Sequence, residues 1–269
     1  MVIQHNIAAN NAYRNLSSNA SNGQKNLEKL SSGYRINRSA DDAAGLAISE
    51  QMRSKINGLD QATANANDAI GLIQTAEGAL TETHSMLQRM VTLATQSANG
   101  TYNTTARSAI SAEVNALKEE IDRIATTTDY NGVKPLAASS AIQVQVGPTA
   151  GETLDIAKAA MGASALSVQD IKVSTVSTAN SAITKINAAI DKVSSHRANL
   201  GASQNRLEHT INNLKTTSEN MTAAESRIRD TDMAKEMAAF TKNNILNQAA
   251  QSMLSQANQQ PQGVLSLLR

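Results

Sequence analysis

The chain has 269 residues, a net charge of +1 and only 2% aromatic residues. The charge balance gives no support for nucleic-acid binding, and the shortage of aromatic side chains excludes the aromatic-rich core of most globular enzymes. No apolar run reaches the roughly 20 residues that span a bilayer, so we expect no membrane insertion. The first residues also lack the pattern of a secretory signal peptide, so export would need another route.

The first predicted element is a helix from about Gln4 to Leu30, which Gly33 should stop. Its packing face repeats in alternating steps of four and three, as in helices that pair lengthwise. That face comprises Val2, Asn6, Ala9, Tyr13, Leu16, Ala20, Gly23, Leu27 and Leu30. A second stripe of uncharged amides lies on another face and consists of Asn11, Asn15, Asn19, Asn22 and Asn26. We interpret it as a set of amide contacts or a hydrated surface.

Three further helices are predicted. One covers residues 46–98, with Asp41 or Asp42 as its cap. The other two begin at about Thr104 and at about Ser177. The first and last of these carry apolar seams of roughly 43 residues, which correspond to helices of about 65 Å. Glu77 and His84 interrupt one seam and Arg197 interrupts the other. Because a buried charge needs a partner, we expect Glu77 to pair with an arginine across the two helices.

The middle of the chain changes character near Asp129. An Asn-Gly pair in the sequence Tyr130–Val133 predicts a tight turn, and alternating apolar residues over 142–146 and 153–156 predict a β-hairpin. Residues 157–176 appear small and irregular. The predicted fold class is therefore mainly α, with long antiparallel coiled-coil-like helical rods and a small β-hairpin region at about 130–160.

A break at residues 229–232 should precede a last helix, whose opening face is Met233, Met237 and Phe240. No charged residue occurs between Asn243 and Leu268, which is unusual for a solvated surface, so we expect this helix to be buried in an assembly. Residues 259–263, which include a proline, are expected to break the helix before an apolar tail at 264–268. Short connections should place the two ends of the chain side by side.

No catalytic, metal-binding or cofactor-binding constellation is present in the sequence pattern. The four histidines are isolated, and phosphate-binding loops, dinucleotide fingerprints and nucleophile elbows are absent. We therefore expect a structural building block with no cofactor. A soluble signalling coiled coil, such as a chemoreceptor hairpin, is the alternative from another class. The missing membrane spans, the predicted hairpin and the uncharged ends argue against it.

Several segments together resemble bacterial flagellin over nearly the whole chain. They are IAAN at 7–10, LEKLSSGYRIN at 27–37, DDAAGLAI at 41–48, YNGVK at 130–134, GET at 151–153, RANLGA at 197–202, NRL at 205–207, AAESRIRDTDMA at 223–234 and LSLL at 265–268. Matches at both ends at once make the resemblance specific. A hook–filament junction protein is a nearer structural relative, but the closeness of residues 27–48 and 223–234 favours the filament subunit.

The resemblance implies a subunit of the extracellular flagellar filament that polymerises with itself. It implies an inner domain from residues 1–32 and 231–269 that folds on assembly, and an outer domain from 33–230, with little room for a variable domain. Family members travel unfolded to the filament tip, with an export chaperone, a filament cap and hook–filament junction proteins as partners. The expected assembly residues are Ile7, Tyr13, Leu16, Leu27, Leu30, Met233, Met237, Phe240, Leu246, Met253, Leu265 and Leu268.

A recognition site for Toll-like receptor 5 also follows from the resemblance. The family pattern of an Arg and a Leu on one helix and a Glu on the next corresponds to Arg89, Leu93 and Glu113, with Gln88 beside them. Arg89 and Leu93 are four residues apart and are expected to share an accessible helix face. Val91 and Thr92 depart from the pattern of activating members. Packing between filament subunits is the other role expected for these residues.

Overall fold

A computed structural model describes the backbone of residues 6–267 and the side chains of residues 6–260. The elements in chain order are α1 (Ile7–Ser32), α2 (Ala43–Ala98), α3 (Thr104–Thr127), β1 (Ala141–Gln145), β2 (Thr153–Ala157), α4 (Val176–Arg229) and α5 (Met233–Leu267). This order confirms the predicted fold class of long helical rods with a small hairpin. The predicted start of the first helix at Gln4 lies outside the described residues.

Local capping chemistry sets the boundary between α1 and α2. Gly33 adopts φ 75°, and its N–H donates to the Lys29 carbonyl at 2.8 Å, which ends α1 as predicted. The Asp42 carboxylate accepts from the Gly45 N–H at 2.8 Å, so Asp42 caps α2. A side chain on Gly45 would lie 2.8 Å from Cδ1 of Ile36, and this close approach accounts for a glycine at that position.

The described chain forms two compact units. The terminal unit contains the described residues up to Ile56 and from Glu219 onwards, and the central unit contains Asn57–Ser218. Helices α2 and α4 contribute residues to both units. The domain limits expected from the family resemblance fall elsewhere, at the ends of α1 and α4, and stay a prediction about the assembled protein.

The central unit has a continuous aliphatic core supplied by α2, α3, α4, the hairpin and the segment before α4. Its fully buried large side chains include Ile73, Leu80, Leu87, Met90, Leu93, Ile121, Leu136, Ile156, Leu166, Ile186 and Leu207. Arg197 Nη2 lies 3.4 Å from Glu77 Oε1, which confirms the predicted pairing of these seam charges. Burial lowers the pKa of His196, so its imidazole is held neutral among the apolar residues.

The irregular segment 157–176 belongs to the core, which the sequence did not indicate. Six of its side chains are buried: Met161, Ala163, Leu166, Val168, Ile171 and Val173. Irregular backbone can be buried only where its polar groups find partners. Asp122 accepts from the Ala163 N–H at 2.7 Å, and Lys118 Nζ donates to the Gln169 carbonyl at 3.0 Å. Side chains of α3 therefore satisfy the backbone of this segment.

The predicted hairpin and tight turn are both confirmed. β1 and β2 pair antiparallel with Ile142 opposite Ile156 and Val144 opposite Leu154, so the apolar positions share one face. The carbonyl of Gln145 accepts from Asn65 Nδ2 on α2 at 3.1 Å. In the separate turn at Tyr130–Val133, the two central residues have φ values of 51° and 82°, as an Asn-Gly turn requires.

The predicted helix break at residues 259–263 is wrong, because α5 continues to Leu267. Pro261 has no N–H, so it cannot donate to the carbonyl of Ala257 four residues earlier. That carbonyl instead accepts from Asn6 Nδ2 at 2.7 Å. The same Asn6 side chain caps α1, because its Oδ1 accepts from the Ala9 N–H at 3.0 Å. A contact between the two ends of the chain thus replaces the hydrogen bond that the proline removes.

This arrangement predicts a coupled effect of two substitutions. Asn6→Asp keeps the capping oxygen and removes the donor, so amide exchange in the last turns of α5 should accelerate about threefold to tenfold. Pro261→Ala restores the missing backbone N–H, so the same Asn6→Asp change should have little effect in that background. Hydrogen–deuterium exchange on assembled filaments measures both. An equal acceleration in the two backgrounds would contradict the replacement of one hydrogen bond by the other.

Candidate functional site

Helices α1 and α5 lie against each other and run antiparallel, since Asn6 at the start of α1 contacts Ala257 near the end of α5. The pair buries little of its own surface. Among its described residues, Gly23 alone is fully buried in α1, and α5 has no fully buried side chain through residue 260. Most helical stability in proteins comes from packing, so these helices need a further partner.

Amide groups rather than apolar side chains make part of the contact between α1 and α5. The Asn26 amide, oriented by its partners, donates to Glu236 Oε1 and accepts from Asn243 Nδ2, both at 3.0 Å. Asn247 lies beside Gly23, and its Nδ2 is 3.8 Å from the position that a Cβ on Gly23 would take. Asn26 is the last residue of the predicted asparagine stripe, so this part of the stripe makes amide contacts within the chain.

The apolar side chains of this helix pair face outward. Seven of the expected assembly residues are exposed: Ile7 (68%), Tyr13 (62%), Leu27 (55%), Met233 (48%), Met237 (51%), Leu246 (38%) and Met253 (62%). Leu16, Leu30 and Phe240 are half-buried, and the side chains of Leu265 and Leu268 lie outside the described part of the chain. Large apolar side chains exposed in this number indicate an interaction surface. Ile245 (61%) adds to it, although it was not among the predicted residues.

The two connections next to this helix pair are tied together. The Thr231 N–H donates to the Gly33 carbonyl at 3.0 Å, within an antiparallel bridge between Tyr34 and Asp230. The guanidinium of Arg229 lies 4.5 Å from the centre of the Tyr34 ring, and its Nη1 lies 2.9 Å from Glu50 Oε1. Cation–π and ionic contacts thus hold the segment after α1 to the segment before α5.

The expected receptor residues lie in the central unit on α2 and α3. Arg89 Nη2 is 2.8 Å from Glu113 Oε1, so two of the residues form an exposed ion pair between the helices. Gln88 is also exposed, and its Nε2 lies 3.0 Å from Nε2 of His84. Leu93 is only 2% exposed and belongs to the core. The expectation that Arg89 and Leu93 share an accessible face is therefore wrong for Leu93. Core residues pack against α2 outside the predicted seam as well as along it.

A metal-binding cluster and a membrane-spanning helix are both absent from the described residues. Over residues 6–267 no group of three or more His, Asp or Glu side chains could hold a metal ion. Within the same range, none of the helices is both long enough and apolar enough to cross a bilayer. The features that stand out are thus two surfaces, the exposed apolar face of α1 and α5 and the Gln88–Arg89–Glu113 surface on α2 and α3.

Comparison with known proteins gives consistent matches along the chain. Residues 3–141 match the bacterial flagellin N-terminal helical region, and residues 183–268 match the bacterial flagellin C-terminal helical region. The chain is 57% identical over 274 residues to a flagellin of Halalkalibacterium halodurans and 51% identical over 305 residues to a flagellin of Bacillus subtilis. Each match covers 100% of this chain and 100% of the relative. The crystal structure of Bacillus cereus flagellin superposes with a TM-score of 0.52 at 35% identity, over 60% of this chain and 94% of that one.

Proposed function

Because the chain belongs to the bacterial flagellin family, we propose that it assembles through the exposed apolar face of α1 and α5. It is a structural subunit of the extracellular flagellar filament and polymerises with itself, and it is not an enzyme. The assembly proposal depends on one observation about this helix pair, which is the presence of polar contacts between the helices and of exposed apolar side chains. The amides of Asn26 and Asn243 contact each other between the helices, whereas several large apolar side chains are exposed.

The same observation supports the division into an inner domain of residues 1–32 and 231–269 and an outer domain of residues 33–230. A helix pair without a core of its own gains its stability from neighbouring subunits, so it folds on assembly. The outer domain contains the central unit, whose aliphatic core needs no such partner. Burying a large apolar side chain stabilises by about 1.5–3 kcal/mol, so the exposed apolar residues suffice to drive association.

Recognition by Toll-like receptor 5 through the Gln88–Arg89–Glu113 surface is the second part of the proposal. The supporting observation is that Arg89 and Glu113 are exposed and lie against each other, so one receptor surface can contact both charges. Leu93 contributes by fixing the position of α2 in the core rather than by direct contact. An exposed ion pair stabilises a protein by only about 0–1 kcal/mol, so its loss should leave the fold intact.

The receptor proposal predicts that Arg89→Ala weakens binding to the receptor ectodomain about tenfold or more, as for the loss of a charged interface residue. The matched control is Arg123→Ala, which removes another exposed arginine on the central unit, paired with Glu120. Binding of soluble subunits is measured by surface plasmon resonance. Equal affinities of the two variants and the unsubstituted chain would exclude this surface as the recognition site.

We further propose unfolded export to the filament tip, aided by an export chaperone, the cap and the junction proteins. The absence of cysteine supports it, since no disulfide can lock the travelling chain. The asparagine stripe of α1 is proposed to line the channel of the filament through which subunits travel. Amides hold a passing chain more weakly than charged groups do, because charge-assisted hydrogen bonds are about twice as strong as neutral ones. Lysines at the exposed positions Asn11, Asn15 and Asn22 should therefore shorten filaments, and glutamines there should not. Equal filament lengths by electron microscopy would contradict the lining role.

A further inference from the structure

Four Asn-Gly dipeptides in this chain share one intrinsic reactivity: Asn22-Gly23, Asn57-Gly58, Asn99-Gly100 and Asn131-Gly132. In such a pair the glycine nitrogen can attack the side-chain carbonyl carbon of the asparagine, since glycine has no side chain to obstruct it. The new N–Cγ bond forms, the Cγ–Nδ2 bond breaks, and the NH2 group leaves as ammonia after it takes up a proton in place of the one that the glycine nitrogen loses. Water then opens the cyclic imide to aspartate or isoaspartate. The surroundings of each pair decide which of them reacts.

Three of the four pairs have their glycine N–H engaged. Gly58 lies in the interior of α2, where its N–H belongs to the helical hydrogen-bond ladder. Gly23 lies in the interior of α1, where its N–H belongs to the helical hydrogen-bond ladder. Gly132 donates its N–H to Asp129 Oδ2 at 3.0 Å. Attack requires the glycine nitrogen to lose its proton and become negatively charged. The carboxylate next to Gly132 disfavours this loss, because the two negative charges would repel each other. None of these three nitrogens is free to attack in the folded chain.

The pair Asn99-Gly100 has the opposite electrostatic setting. It lies just beyond the end of α2, both residues are exposed, and a side chain built on Gly100 would meet nothing within 4 Å. Within the described residues, the Gly100 N–H has no hydrogen-bond acceptor. Arg107 Nη2 donates to the Asn99 carbonyl at 3.0 Å, and that carbonyl belongs to the same peptide group as the Gly100 nitrogen. The guanidinium charge therefore favours the deprotonated peptide.

The electrophile of this pair is also activated. The Thr101 N–H donates to Asn99 Oδ1 at 3.2 Å. This oxygen takes up negative charge when the side-chain carbon is attacked, so the Thr101 N–H acts as an oxyanion donor. One cation and one N–H thus support the two charges that develop in the reaction, on the nitrogen and on the oxygen.

We infer that Asn99 is a site of spontaneous, structure-directed deamidation, and that the fold protects Asn22, Asn57 and Asn131. The Gly132 N–H must break its hydrogen bond to the Asp129 carboxylate before its nitrogen can attack, and this requirement slows the reaction about tenfold or more. Asn99 should therefore deamidate at least about ten times faster than Asn131. The product carries a new carboxylate beside Arg107. The inference depends only on the subunit's own chemistry and is independent of the receptor proposal.

The test follows deamidation in the folded full-length chain at mildly alkaline pH, with peptide mass spectrometry of the segments that contain Asn99 and Asn131. The same chain in concentrated urea gives the reference, where the Asn99:Asn131 rate ratio should approach one. A folded ratio of about ten or more supports the inference. Equal rates in the folded chain, or a faster Asn131, overturn it.

Variants separate the electrostatic cause from simple exposure. Arg107→Gln should slow Asn99 severalfold while Arg107→Lys retains most of the rate, and the matched control Arg123→Gln on the same helix should change nothing. Because Arg107 also donates to the Ser97 carbonyl, far-UV circular dichroism must show an unchanged fold. Asp129→Ala provides a second test, since it frees the Gly132 N–H and should accelerate Asn131. The inference would be overturned if Arg107→Gln left the deamidation rate of Asn99 unchanged and Asp129→Ala left that of Asn131 unchanged.

Discussion

Removal of residues 231–269, which carry α5 and the proposed C-terminal half of the inner domain, is expected to abolish filament formation. The truncated chain loses the exposed apolar side chains of α5, including Met237, Met253 and Ile245. It also loses the antiparallel partner of α1. The central unit lies wholly within residues 57–218 and keeps its core, so most of the helical signal should persist. Electron microscopy after acid dissociation and seeding at neutral pH is the measurement.

Point variants distinguish loss of apolar contacts from loss of a whole helix. Leu27→Ser, Met237→Ser and Met253→Ser each remove a side chain that is more than half exposed in the subunit. Each should raise the subunit concentration needed for polymerisation about tenfold or more, because burial of such a side chain stabilises by about 1.5–3 kcal/mol. Gln251→Ser is the matched control at an exposed polar position of α5. Filaments from the truncated chain, or equal effects of the apolar and control variants, would contradict assembly through this face.

The second large effect is expected in the core of the central unit. Leu87 is fully buried on α2, and Leu87→Ala should lower the free energy of unfolding by about 2–5 kcal/mol. Whole domains are stable by only about 5–15 kcal/mol, so this single change removes a large share. The melting temperature should fall by about 10 °C for a unit of this size. Thermal unfolding by circular dichroism measures the change.

Glu82→Ala provides the control for this prediction. Glu82 is exposed on the same helix, so its replacement should shift the melting temperature little. The Leu87→Ala subunit should still form filaments at low temperature, because Leu87 lies outside the terminal unit. Similar melting temperatures of the two variants would show that the core around Leu87 does not determine the stability of the subunit.

Much of the fold could be predicted because it depends on local periodicity. Alternating steps of four and three residues predicted the helical rods, and alternating apolar residues predicted the hairpin with Ile142 opposite Ile156. Capping signals are equally local, which is why Gly33 was correctly placed at the end of α1 and why Asp42 was one of the two predicted caps of α2. The pairing of Glu77 with Arg197 followed from the high energetic cost of leaving a seam charge without a partner.

The errors in prediction share one physical cause, since each depended on a contact with a residue distant in sequence. Residues 157–176 appeared irregular, yet α3 side chains satisfy their backbone and allow six of their side chains to be buried. Leu93 lies off the predicted seam, and its burial depends on elements that cover α2 from another side. The protected and reactive Asn-Gly pairs are identical as dipeptides, and they differ only in their surroundings: a helix interior, the Asp129 carboxylate or the Arg107 guanidinium.

The sequence by itself determined that this protein is a filament subunit made of long helices, because periodicity and terminal motifs are properties of the chain. Tertiary structure decided how the ends of the chain meet. A proline that should end α5 is accommodated because Asn6, 251 residues away from Ala257, supplies the missing donor. It also decided that the Asn26 and Asn243 amides meet between α1 and α5 while several large apolar side chains stay exposed. A residue's chemistry is fixed by its type, but its partners are set only by folding.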